Sequence, residues 1–315
     1  MADFLIKFNF LSPMRIGQEE IDLQGLADGL HSDTLFSALC HALAELYGSD
    51  WLEQWLQTYQ TKPPLLMSSA FPFYQDQFYL PRPFLAAPEH SEGEQNAKLL
   101  TNLRWLSPHS LWQWLRGQGL DPQQLQMDKE NTEKLEQVFT MPRVSLDRVS
   151  NASNIFYCTQ QSFIPQSGLY CILRMADEHE ITLLQSAFAY LGECGLGSER
   201  NNGYGRFAPE WMEPNAEFKR LLTNKGERYY LLGLYHPGTA AIELQNTGYG
   251  LIHRRGWFYS ISSGKQYKRR SVWMFQEGSV LRQEPAGCLV DVTPSVCGPD
   301  HHRIFKNGMT PCLQF

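Results

Sequence analysis

The sequence predicts an α+β chain whose first half runs strand, helix, hairpin, strand, helix, glycine loop, strand. Three observations carry that prediction. Phe4, Ile6, Phe8 and Phe10 alternate with Leu5, Lys7 and Asn9, the period of two that marks a strand. Leu35, Ala38, Leu39, Ala42, Leu43 and Leu46 recur at helical spacing and draw one apolar stripe. Residues 195–207 then place four glycines, two arginines and two asparagines between a second such stripe and a strand-like run.

The first helix opens at His31-Ser32-Asp33-Thr34, with Ser32 or Asp33 as N-cap, and Gly48 closes it. A second short helix follows around 51–59. Residues 69–83 read as a hairpin about Gln75-Asp76-Gln77 with prolines at its edges. The stretch 85–140 is polar and irregular, helical near 111–115 and 130–139, and is expected to be an insertion outside the core. Residues 144–163 form an extended hairpin with a polar tip at 150–154. A strand at 169–175 leads into the helix 182–193, read from its apolar Leu183, Leu184, Ala187, Phe188, Tyr190 and Leu191, and a strand follows at 204–207. After Pro214 the pattern restarts with a helix at 218–222, strands at 229–235 and 272–275, a turn at Glu277-Gly278-Ser279 and a glycine turn at Lys306-Asn307-Gly308. The first half is compatible with a ferredoxin-like β-α-β-β-α-β unit, and the second with a degenerate copy. The expected domains are 1–212 and 213–315.

At 315 residues, 43% hydrophobic and 13% aromatic, the chain can bury one large or two ordinary cores. No run approaches the roughly 20 apolar residues of a membrane span. The first residues lack the basic-then-apolar layout of a secretory signal, so a cytoplasmic protein is expected. Seven cysteines with no C-x-x-C pair read as reduced thiols, neither zinc site nor disulfide framework. His301-His302 has no nearby carboxylate or cysteine to complete a metal site, and no cofactor is expected.

Charge is divided unevenly. Residues 1–140 carry 9 Lys/Arg against 18 Asp/Glu, whereas 250–282 carry 7 against Glu277 alone. Arg254, Arg255, Lys268 and Arg269 interleave there with Trp257, Tyr259, Tyr267 and Trp273, and cations beside aromatic faces suit stacked bases. In the glycine loop, Gly197 and Gly203 free the backbone, while Ser198, Arg200, Asn201, Asn202, Tyr204 and Arg206 offer phosphate and base contacts. Rossmann and P-loop sites run strand, loop, helix, and a P-loop needs Gly-Lys-Ser/Thr, so a mononucleotide site of those kinds is not expected.

His31-Ser32-Asp33-Thr34-Leu35-Phe36-Ser37-Ala38 resembles the first-helix motif of the RAMP (repeat-associated mysterious protein) superfamily, and within it the fourth-subunit family of the Csm complexes in type III-A CRISPR effectors, which is similar to the Cas5 family. The segments 71–83, Arg143-Val144-Ser145-Leu146-Asp147-Arg148, the glycine loop, Arg255-Gly256-Trp257 and Glu277-Gly278-Ser279 agree in order. The resemblance implies two ferredoxin-like (RRM-like) domains, a thumb-like β-hairpin at about 143–165 and a non-catalytic role in antiviral defence. Such subunits hold the 5′ repeat-derived tag of the CRISPR RNA. They contact the large polymerase-like subunit and a backbone RAMP subunit, and meet target RNA through the guide. By that resemblance Ser198, Arg200, Asn202, Tyr204 and Arg206 meet the tag, with Arg143, Asp147, Arg148 and Asn151 at or near the thumb. His31 is expected to order the helix start or to touch RNA without chemistry. Two alternatives are a RAMP endoribonuclease with His31 as general base against a 2′-OH, and a stand-alone RRM-like RNA-binding protein.

Overall fold

The structure is a computed structural model that describes residues 2–17, 25–88, 99–176, 178–260, 265–297 and 302–315. His301 and the side chain of Tyr259 lie outside what it describes. The first strand, β1 (Ala2–Phe10), is followed by α1 (Ser32–Tyr47), α2 (Ser49–Thr61), β2 (Leu65–Met67), β3 (Phe71–Tyr74), β4 (Gln77–Phe78), β5 (Leu80–Pro81) and β6 (Trp105–Leu106). Two helices, α3 (Pro108–Leu115) and α4 (Pro122–Glu133), precede a long hairpin of β7 (Glu136–Leu146) and β8 (Ser153–Phe163). The chain returns through β9 (Ser167–Met175), α5 (Ile181–Cys194) and β10 (Phe207–Met212). Beyond it lie α6 (Ala216–Thr223), β11 (Tyr229–Leu231), β12 (Leu251–Arg254), β13 (Trp257–Ser260), β14 (Lys265–Lys268), β15 (Val272–Phe275), β16 (Val280–Leu281), β17 (Leu289–Asp291), β18 (Phe305–Asn307) and β19 (Cys312–Gln314).

The main sheet is antiparallel, ordered β10-β1-β9-β3-β4, with β2 extending the β3 edge along β9. Alternation along its strands sends side chains to both faces. Ile6, Phe8, Cys171 and Leu173 pack under α1, α2 and α5. Leu5, Tyr170 and Ile172 point the other way, onto Leu111, Trp114, Phe218, Leu221, Tyr230 and Leu313. Both faces are therefore covered, and residues from the two halves of the chain share the second core. The second half itself is a set of two- and three-stranded sheets with α6 as its one helix among the described residues.

Five local expectations need correction. Residues 85–140 are not outside the core, because Leu100, Leu103, Leu106, Leu111, Leu120 and Leu125 cover the second sheet face. Within that stretch the second helix ends at Glu133, and 136–139 already belong to β7. The strand expected at 204–207 starts only at Phe207, since Gly205 turns the chain with φ 72°. The strand expected over 229–235 stops at Leu231, and Leu234 N–H bonds the Ser32 hydroxyl instead of a neighbouring strand. Finally, His31 is the N-cap residue of α1, with no side-chain cap bond. Ser32 N–H donates to Ser69 Oγ, and the Asp33 carboxylate turns into the protein.

Among the described residues no helix is long and apolar enough to cross a membrane, no cluster of three metal-ligating side chains occurs, and all seven cysteines are free.

Candidate RNA interface

The glycine loop is built against the segment that leaves β1. Ser12 Oγ accepts from Arg206 N–H, Pro13 O from Gly205 N–H and Arg15 O from Ser198 N–H, at 2.8–2.9 Å. Gly197 (φ 93°) and Gly205 lie where a Cβ would strike the carbonyls of Arg15 and Leu196. These glycines let protein backbone approach protein backbone rather than a ligand, which differs from the role expected of Gly197. Gly203, with φ 80° and open space around it, is the loop's exposed bend.

Around that bend the structure gathers several of the expected residues. Arg143, on the inner face of the hairpin, donates to Glu199 Oε2 at 2.6 Å and to the Tyr204 hydroxyl at 2.7 Å. Asn202 Nδ2 donates to the same Glu199 oxygen at 2.8 Å. Ser198 Oγ accepts from Arg15 Nη1 at 3.0 Å, and Arg206 pairs with Glu193. Arg200 and Asn201 stand exposed on the single helical turn between. Glu199 organises the cluster from a left-handed conformation (φ 63°), and Arg15 fastens its base. Neither was anticipated. An acid inside a basic loop carries no RNA-binding signal, and Arg15 lies far off in sequence.

Asp147, Arg148 and Asn151 lie three residue pairs beyond Arg143, at the hairpin tip. Asp147 Oδ1 accepts from Val149 and Ser150 N–H at 2.7 and 2.8 Å, and these bonds, Ser150's first, hold its pKa below the usual carboxylate value. Asp147 thus shapes the turn, Asn151 takes the left-handed position (φ 56°), and Arg148 is exposed. One face of this hairpin shows Val138, Val144, Leu146, Ile155 and Tyr157 to solvent.

His31 is 5% exposed, and its Nδ1 lies 2.8 Å from Glu277 Oε1. Burial alone would lower its pKa, but the adjacent carboxylate outweighs burial and raises it. Two residues on, Asp33 is fully buried between Arg254, which forks onto it at 3.0 and 3.0 Å, and Lys306 Nζ at 2.6 Å. Arg254 therefore fastens the C-terminal half to α1, which corrects the expectation of a solvent-facing phosphate contact. A buried carboxylate needs a matched cation, and the forked guanidinium supplies it. The remaining expected residues of the basic stretch stay together: Arg255, Gly256, Lys268 and Arg269 surround the break between β12 and β13, where Arg269 N–H donates to Gly256 O at 2.9 Å.

Residues 224–315 match the family model of the CRISPR Csm4 C-terminal domain. The chain is 25% identical over 271 residues to the CRISPR system Cms protein Csm4 of Thermococcus onnurineus (strain NA1), covering 81% of this chain and 83% of the relative. It is 25% identical over 240 residues to the protein of the same description from Streptococcus thermophilus, covering 72% and 74%. In fold it superposes on a chain of the Csm3–Csm4 subcomplex of the type III-A CRISPR-Cas interference complex, with TM-score 0.67, 17% identity and coverage of 100% and 99%. It likewise superposes on a chain of the Csm1–Csm4 cassette in complex with AMPPNP, with TM-score 0.63, 19% identity and coverage of 99% and 97%. The last 92 residues thus match the Csm4 C-terminal family model, and over most of its length the chain is similar in sequence, and over all of it in fold, to Csm4 proteins of type III-A CRISPR complexes.

Proposed function

We propose that the chain is a non-catalytic CRISPR RNA-binding subunit of a type III-A Csm complex. It holds the 5′ repeat-derived tag of the guide and meets the large subunit and a backbone subunit through protein surfaces. Solved structures that share its fold include complexes of Csm4 with Csm1 and of Csm3 with Csm4, which supports those two protein partners. Target RNA is met through the guide, near the hairpin, and no membrane is involved. In this reading the sheet order β10-β1-β9-β3 with α1 and α5 on one face is a ferredoxin-like unit, and 213–315 is its degenerate companion. The division at 212/213 belongs to this proposal.

The observation that carries it is the Arg143–Glu199–Tyr204–Asn202 cluster. It joins the tip-side half of the hairpin to the glycine loop, so an RNA end held by the loop would lie beside the thumb. An RRM stacks bases on an open sheet. Here that sheet is covered on both faces, which leaves loops and ribbons to bind RNA and favours this reading over a stand-alone RRM-like module. The buried His31–Glu277 pair likewise favours binding over cleavage, because a general base must reach its 2′-OH.

The test is a complex reconstituted from purified subunits and a repeat-bearing guide. Arg200→Ala with Arg206→Ala should reduce guide occupancy several-fold while thermal melting stays near wild type. Unchanged occupancy contradicts the site. Metal-free cleavage of repeat RNA that disappears in His31→Ala would establish the endoribonuclease instead.

A further inference from the structure

The basic stretch folds as one bent hairpin, with β12 paired to β15 and β13 to β14. The bend falls between the pairs Arg254–Val272 and Trp257–Lys268, where Gly256 adopts φ 132°. Arg254 and Val272 are buried, so the period of two turns the preceding pair, His253–Trp273, outward. Their rings stack at 4.6 Å with 16° between planes, and the indole is still 59% exposed. Trp257, just past the bend, is 56% exposed. Two indoles in solvent, with Arg255, Lys268 and Arg269 between them in the strand pairing, form flat faces among cations.

The local charge is cationic. Glu277 is the one acid among residues 250–282, and it is bonded to His31. A ligand complementary to this bend has flat, stackable faces and evenly spaced negative charge, which is the chemistry of single-stranded nucleic acid. Arg254 anchors the bend to Asp33 at the start of α1.

We propose that this bend is a second RNA contact, in which an unpaired base of the guide stacks on the outer face of Trp273, backed by the His253 imidazole, while Arg255, Lys268 and Arg269 meet the flanking phosphates. The proposal rests on the guide-binding function above and adds to it a stacking platform outside the glycine loop.

The experiment measures guide-RNA binding by the full chain and by the reconstituted complex, together with ultraviolet cross-linking mapped by mass spectrometry. Base–aromatic stacking predicts that Trp273→Ala weakens binding roughly 5- to 100-fold, with Trp273→Phe close to wild type. Cross-links should appear at Trp273 or His253. Unchanged affinity in Trp273→Ala with no cross-link there overturns the platform. So does loss of a protein subunit at unchanged RNA affinity, which would make the bend a protein surface. If Arg200→Ala with Arg206→Ala weakens binding and Trp273→Ala does not, the platform alone fails. A wild-type chain and complex that bind no guide overturn both.

Discussion

Arg254 Nε lies 3.0 Å from Asp33 Oδ2, and its Nη2 lies 3.0 Å from Oδ1, so a forked ion pair spans 221 residues of sequence. Burial by itself would raise the Asp33 pKa, but Lys306 and Arg254 outweigh it and hold the carboxyl far below its ordinary range. The basic hairpin is thereby fixed to α1 by a charge that solvent does not reach.

Removing one partner of such a pair strands the other in a low-dielectric site. Arg254→Ala should therefore cost about 3 kcal/mol of unfolding free energy, even with Lys306 left in place. Arg255→Ala, one residue on and partly exposed, should stay within about 0.5 kcal/mol of wild type and act on RNA affinity. Urea unfolding of the two variants separates the roles. Equal stability for both would show that the fork carries little of the fold.

A second prediction concerns the hairpin. Outside the tether at Arg143, its strands are held to the body near the base, by the Met14–Gln161 backbone bonds and the Ser167 hydroxyl on Leu135 O. Arg143→Ala should speed amide exchange in residues 144–155 several-fold. Global stability should fall by no more than about 1 kcal/mol, because the Arg143–Glu199 pair is only partly shielded from water. Exchange that does not change would mean the cluster does not hold the thumb.

Elements governed by local periodicity were legible in the sequence. The alternation of β1, the stripes of α1 and α5 and the turn about Gln75 depend on neighbours a few residues away, and the structure has them. What was not legible depends on distant partners. Leu111, Trp114 and Leu125 are sparse in a polar stretch, and only the sheet face they meet makes them core. Asp128 is buried because Ser107 and Ser110 hydroxyls donate to it at 2.9 and 2.8 Å, a network that no pattern in 85–140 announces. Arg254 sits in a run of cations and reads like its neighbours until Asp33 is placed beside it. The glycine loop was located correctly, but two of its glycines serve contacts within the protein. The acid that organises it, Glu199, resembles an ordinary surface residue.

The His31–Glu277 pair predicts how stability depends on pH. Burial lowers and Glu277 raises the histidine pKa, with a net increase, so the folded state holds the proton more tightly than the unfolded chain. For a group raised in this way, the stabilisation is complete below the unfolded value of about 6.5 and is lost as pH rises through the folded value. Glu277 runs in the opposite sense. Its pKa is lowered because His31 outweighs the cost of burial, so its contribution is present above about 4.3 and fades as pH falls through the folded value. The pair is strongest between these limits, in mildly acidic solution. Wild type should thus exceed His31→Asn in stability by the largest margin near pH 6, and the margin should narrow towards pH 9. Unfolding curves for both proteins at several pH values check this. A margin that grows with pH would mean that the imidazole is neutral when buried and that Glu277 is held by something else.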